Sequence, residues 1–211
     1  MSFTHTCEKG DSMPKIAAEY GFADYNTIWQ RPENDALRGQ RDNPNVLAAG
    51  DQVYIPDKQP KTVQAATGAK HSYTLKGKST HLRIKILDFA GSPLKSASLQ
   101  LTVDGQTSTV TTDGDGLLDQ VVPPDASSAT LKGDTIGELQ ILIGTLDPVD
   151  EEAGLRERLH NLGYLVASDD VNVGEEDLKF GIELFQADNK LPIDGSDTAS
   201  VQDKLKEIYG C

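Results

Sequence analysis

The 211-residue chain is poor in cysteine, in aromatic side chains and in long apolar runs. Its two cysteines, Cys7 and Cys211, cannot build a disulfide framework or a cysteine zinc cluster, so two free thiols in a reducing compartment are expected. No apolar run approaches the ~20 residues that span a bilayer, so no membrane insertion is expected. The start, Met1 to Lys9, lacks a charged stretch followed by an apolar one, and no Sec leader is expected. Positive charge is also in deficit. Lys and Arg number 20 against 33 Asp and Glu, a formal net charge of −13, which disfavours a nucleic-acid partner held through its phosphates. Hydrophobic residues make up 37%, a little under the usual globular share. Several small modules fit that composition better than one large core.

The charge is uneven. Residues 1–57 carry 5 basic and 9 acidic side chains, residues 58–149 carry 9 and 9, and residues 150–211 carry 6 and 15. Inside the middle block, Lys58, Lys61, Lys70, Lys76, Lys78, Arg83 and Lys85 occur with no acid between them. Such blocks track domain boundaries. The expected division is 1–57, a basic linker at 58–69, a β module at 70–146 and a helical module at 147–211.

In the first module Thr4 to Cys7 reads as a strand. The turn Glu8-Lys9-Gly10-Asp11-Ser12 ends in helix-capping residues. Met13, Ile16, Ala17 and Tyr20 then recur at helical spacing, Pro14 sits in the first turn, and Gly21 falls at the stop. Asp24 can cap a second helix carrying Ile28 and Trp29. The stretch from Arg31 to Asn45 reads as loop. Val46 to Pro56 supplies a turn and a closing strand. Met13 and Trp29 share their spacing with other apolar residues and are expected in the core.

Those residues, from Gly10-Asp11-Ser12-Met13 through Ile28-Trp29 to Asn45-Val46-Leu47, Gly50-Asp51 and Val53-Tyr54-Ile55-Pro56, resemble the βααβ LysM domain. The resemblance implies binding of N-acetylglucosamine glycans such as peptidoglycan. The implied groove runs between Gly10, Asp11, Ser12 and Met13 on one side and Asn45, Val46 and Leu47 on the other.

The middle of the chain alternates with period two. His81 to Leu87, Ser98 to Val103, Thr107 to Thr112, Leu117 to Val122 and Leu139 to Ile143 read as strands, with Asp104-Gly105 as a hairpin turn. Asp88 to Leu94 and Asp113 to Gly116 read as turns. A small antiparallel β-sandwich is expected. The run resembles immunoglobulin-like or prealbumin-like modules of bacterial surface and secretion proteins. Asp113, Asp115 and Asp119 offer oxygen ligands, but without the Glu that completes a calcium loop they read as a plain turn.

Three amphipathic faces follow: Leu155, Leu159 and Leu162; Leu178, Ile182 and Phe185; Val201, Leu205 and Ile208. They imply a three-helix bundle. Gly154 to Tyr164, and Phe185-Gln186 followed by Leu191-Pro192-Ile193-Asp194-Gly195, resemble the three-helix peptidoglycan-binding domain. This resemblance implies a second wall-binding module through Phe185, Gln186, Leu191, Asp194 and Gly195. Residues 168–174 replace the Asp-Gly turn such domains carry in their first half.

The expected fold class is therefore α+β and multidomain. None of His5, His71, His81 and His160 stands in a zinc-protease spacing, and neither cysteine has a nucleophile's local sequence. The three modules leave no room for a catalytic domain. No enzyme, catalytic residue, metal site or cofactor is expected. The module order resembles LysM and peptidoglycan-binding proteins associated with type VI secretion spike genes, which implies peptidoglycan as partner and delivery by a contractile device. The alternative is a cytoplasmic adaptor or chaperone that holds a toxin or spike protein. Its support is the acidic C-terminal module, the long 31–45 stretch and the replaced turn.

Overall fold

A computed structural model describes residues 2–59, 62, 64–72, 79–88, 90–165 and 174–210. Cys211, Lys61, Lys76, Lys78, Phe89 of the expected turn and residues 168–173 lie outside the described residues. The chain is a mixed α/β fold with antiparallel sheets. Among the described residues no helix is long and apolar enough to cross a membrane.

The first unit pairs β1 (Phe3–Thr6) antiparallel with β2 (Gln52–Ile55), Phe3 opposite Ile55 and Thr6 opposite Gln52. Between them run α1 (Met13–Glu19), α2 (Asn26–Trp29), a 3-10 turn (Pro32–Asn34) and α3 (Asp35–Gln40). Ser12 caps α1, its hydroxyl accepting from the Lys15 amide. Gly21 follows the helix at φ +67°, where a side chain would strain the turn. Met13, Ile16, Ala17, Ile28, Trp29, Val53 and Ile55 form the core, as their spacing requires.

Residues 31–45 are not all loop. The sequence gives α3 a weak signal because it buries a single apolar residue, Leu37. A polar clamp compensates. Buried Asn34 donates from Nδ2 to the carbonyls of Ile28 and Tyr54, both at 3.0 Å, and its Oδ1 accepts from the Tyr54 amide at 2.8 Å. One side chain thus ties the inserted helical stretch to both α2 and β2.

The second unit has two antiparallel sheets on one core. One pairs β3 (Thr80–Lys85) with β6 (Leu117–Val122). The other has the order β5-β4-β7-β8, with β4 Ser98–Val103, β5 Gln106–Thr111, β7 Ser128–Gly133 and β8 Gly137–Leu142. Leu99, Leu101, Val110, Leu118, Ala129 and Leu131 fill the space between them. Asp104 and Gly105 both have positive φ, 48° and 76°, the conformation of a two-residue hairpin turn whose twist suits its strands. Strand β7 has no counterpart in the sequence expectations. Its inward residues are only Ala129 and Leu131, so its alternation is faint.

The third unit comprises α4 (Glu152–Asn161), α5 (Glu175–Asp188) and α6 (Ala199–Tyr209). Leu155, Leu159, Ile182, Phe185, Val201 and Leu205 share its core, while Ile208 stays largely exposed. The first and third units touch directly. Lys9 Nζ reaches Asp147 at 2.9 Å and Glu157 at 3.2 Å, Arg41 reaches Glu151 at 3.2 Å, and Lys206 reaches Asp42 at 3.3 Å.

Candidate functional site

The loop after β1 and the loop before β2 lie side by side. The Met13 amide donates to the Pro44 carbonyl at 2.9 Å. Each loop is closed by a Gly-Asp pair. Gly10 and Gly50 both have positive φ, 91° and 95°. The Asp11 carboxylate accepts from the Glu8 amide and the Asp51 carboxylate from the Ala48 amide, each at 2.9 Å. These carboxylates are buried and organise their turns rather than facing solvent.

The expected groove residues therefore divide. Met13, Val46 and Leu47 bury their side chains and can offer a ligand only their backbone. Gly10 and Ser12 are partly exposed and Asn45 is exposed. Asn45 Nδ2 donates to Asn43 Oδ1 at 3.1 Å, and Asn43 Oδ1 also accepts the Asn45 amide. Beside this loop a cleft of about 440 Å³ opens between the first and third units, lined by residues that include Arg41, Asn43, Pro44, Val46, Val149 and Lys206.

Electrostatics hold the loops. Burial pushes the Asp11 carboxyl up, but the Glu8 amide, His5 and Lys15 outweigh it and hold it below the usual carboxylate range. Arg41 is buried and grips Asp51 through Nε at 2.9 Å and NH2 at 3.2 Å, which raises its own proton affinity. Hydrogen bonds to Asp147 and Glu157 likewise raise that of Lys9. Neither Lys9 nor Arg41 carries a sequence signature for this task, since each lies in a polar stretch without periodicity. The first loop is also flanked by the chain itself. A Cβ built on Gly10 would sit 3.9 Å from the Thr145 methyl.

In the third unit the expected residues come together around one side chain. Gln186 is buried beneath the turn. Its Nε2 donates to Asp194 Oδ1 at 2.8 Å, and its Oε1 accepts the amides of Asp194 at 3.0 Å and Gly195 at 2.9 Å. Phe185 is wholly buried and Leu191 packs against the same core. Gly195 has φ +66°, and a Cβ there would meet Lys179 Cγ at 2.4 Å. The Phe-Gln and Asp-Gly pairs thus form one structural device.

The other chemistry-bearing residues are dispersed. Asp113 Oδ1 accepts the amides of Asp115 and Leu117, both at 2.8 Å, while Asp119 pairs with His81 and Arg83 on the β3–β6 sheet, so the three aspartates do not converge. His71 contacts the Ala66 carbonyl and His160 the Leu165 carbonyl. His5 differs. Its Nε2 lies 3.0 Å from Asp11 Oδ2 and its Nδ1 2.9 Å from the Tyr20 hydroxyl, and His5, Cys7 and Asp11 present three potential metal-ligand atoms within 4.8 Å of one another. No protein-family model, curated protein or solved structure matches the chain.

Proposed function

We propose that this protein is a non-catalytic binder of N-acetylglucosamine-containing wall glycan, acting as an accessory of a contractile injection apparatus of the type VI kind. The observation that carries the reading is the Met13 to Pro44 hydrogen bond. It sets the two loops edge to edge, with the exposed Asn45 and the partly exposed Gly10 and Ser12 around their junction. Turn amides and carbonyls there can bond an acetamido group, while the apolar edge of the adjoining cleft covers its methyl. The LysM-like pattern of the first unit and the peptidoglycan-binding pattern of the third fit the same polymer. A weak site on each would gain through effective concentration on a repeating glycan.

A second reading has its own support. The first loop is anchored by Lys9 to Asp147 and Glu157 and flanked by Thr145, so later parts of the chain lie against one side of the candidate groove. That arrangement suits an adaptor that uses wall-binding folds to hold a toxin or spike protein. Co-sedimentation of the full chain with isolated sacculi separates the two. The glycan reading expects pelleting that survives moderate salt and falls severalfold in Asn45→Ala with the fold intact. A folded chain that stays in the supernatant would sink it and leave the adaptor reading in front.

A further inference from the structure

We propose that His5, Cys7 and Asp11 form a binding site for a divalent transition-metal ion of the zinc class, clamping the end of β1 to the Gly10 loop. The inference is independent of the glycan reading. The three residues bring an imidazole nitrogen, a thiol sulfur and a carboxylate oxygen within 4.8 Å of one another. Zinc–ligand bonds of about 2.0–2.3 Å place neighbouring tetrahedral ligands roughly 3.3–3.7 Å apart, so closing the triangle takes at most about 1.5 Å of side-chain movement. The donor set discriminates. A thiolate with an imidazole suits zinc or cobalt and is foreign to magnesium and calcium. Three protein ligands leave a fourth position for water.

The surroundings are arranged for a cation. The Asp11 and Asp51 carboxylates both act on Cys7 through their charge. Their negative potential favours a divalent ion. Binding transfers the thiol proton to solvent and forms the sulfur–metal bond, so thiolate and carboxylate together balance the ion's charge. His5 must then ligate through Nε2 with its proton on Nδ1, and the Tyr20 hydroxyl stands 2.9 Å from Nδ1 to accept it. This is the outer partner a ligating histidine requires. Lys15 Nζ lies 3.4 Å from Asp11 Oδ1, on the other carboxylate oxygen from the one facing His5, and is also held by the Gly10 carbonyl at 3.0 Å. Oδ2 is then the oxygen that faces the metal, while it also accepts the Glu8 amide at 2.9 Å. The His-x-Cys-x-x-x-Asp spacing matches no zinc-protease pattern. A strand and its following turn bring the three residues together.

The test is a Co²⁺ titration of the full-length chain carrying Cys211→Ser, which removes the competing thiol. The expected result is one equivalent of cobalt with a near-ultraviolet thiolate-to-cobalt charge-transfer band, displaced by Zn²⁺. Cys7→Ser abolishes the band. Tyr20→Phe retains it with affinity weakened about tenfold, the usual effect of losing an outer partner, and His5→Gln and Asp11→Asn weaken it further. Absence of the band in the Cys211→Ser protein overturns the site, as does an unchanged band in Cys7→Ser. If Cys7→Ser fails to fold, the partly exposed His5→Gln decides, and an affinity equal to the parent's overturns the proposal.

Discussion

Asp11 and Asp51 close the same turn twice. Each donates its amide to the carbonyl three residues earlier at 3.1 Å, and each carboxylate accepts that residue's amide at 2.9 Å. The difference lies in the second partner. Asp11 faces His5 and Lys15, whereas Asp51 is gripped through two guanidinium nitrogens by Arg41. Arg41 and Asp51 are 6% and 7% exposed, while its other partners, Asp150 and Glu151, are 60% and 44% exposed. Removing one member of a buried pair leaves the other charge uncompensated and costs about 3–5 kcal/mol. Exposed pairs contribute no more than about 1 kcal/mol. Asp51→Ala should therefore lose up to about 3–5 kcal/mol, since the exposed Asp150 and Glu151 compensate Arg41 only in part, and Glu151→Ala under about 1. Urea unfolding followed by the fluorescence of Trp29, the chain's one tryptophan and part of this core, measures both. Equal losses from the two variants would refute the assignment.

Two helical glycines should respond in opposite directions. Gly39 in α3 is exposed, and a Cβ there meets nothing within 4 Å. Gly39→Ala should gain about 0.5–1 kcal/mol from helix propensity alone, read by the same fluorescence. Gly154 in α4 lies against backbone. Its Cβ would fall 2.0 Å from the Pro148 carbonyl oxygen and 2.4 Å from that of Asp147. Arg158 fixes the approach, its NH1 donating to the carbonyls of Asp147 and Gly154, both at 2.8 Å. Overpacking of this kind costs about 1–3 kcal/mol, occasionally more, so Gly154→Ala should speed amide exchange throughout α4. Unchanged exchange would show that the chain before α4 can move aside.

The legible parts of the sequence were those written in periodicity and turn chemistry. Met13, Ile16 and Ala17 announced α1, Asp104-Gly105 announced the hairpin, and Leu155 with Leu159 announced α4. Strand β7 was hidden because Ala129 is too small to mark an alternation. Helix α3 was hidden because Asn34 and Arg38 hold it through backbone carbonyls, and polar clamps have no period. The contact between the first and third units was equally invisible, since Lys9 and Asp147 are far apart in sequence and carry no local signal. Of the candidate groove, the sequence marked the two loops but not which side chains turn inward. Val46 and Leu47 are drawn into the core by the same apolarity that marks the motif.

Gln186 supplies a third prediction. It is buried, and its Oε1 is the acceptor for the Asp194 and Gly195 amides. An apolar residue of similar size leaves both donors without that acceptor, each at about 1–3 kcal/mol. Gln186→Leu should cost roughly 2–6 kcal/mol, and the amides of Asp194 and Gly195 should lose protection before those of α5. Retained protection at those two amides would count against the clamp. Gln186→Glu should not rescue the turn at neutral pH, because it keeps the acceptor but sets a buried carboxylate against the Asp194 carboxylate in place of the Nε2 donor.

The same clamp sets a pH dependence. The Ser196 amide and then the Gln186 side chain hold the Asp194 carboxyl below the usual carboxylate range. The unfolded chain titrates near the ordinary aspartate value of about 3.9. Because the folded value is the lower one, the charged form favours the folded state. That stabilisation is fully present above the unfolded value and is lost as the pH falls through the folded one. The turn should thus hold at neutral pH and loosen only in acid below about pH 4. Carbon NMR of the Asp194 carboxyl should give a midpoint under the ordinary value in the parent chain and a higher one in Gln186→Leu, where the Gln186 contribution is lost and that of Ser196 remains. A parent midpoint at the ordinary value would mean that Asp194 gains nothing from its partners on folding.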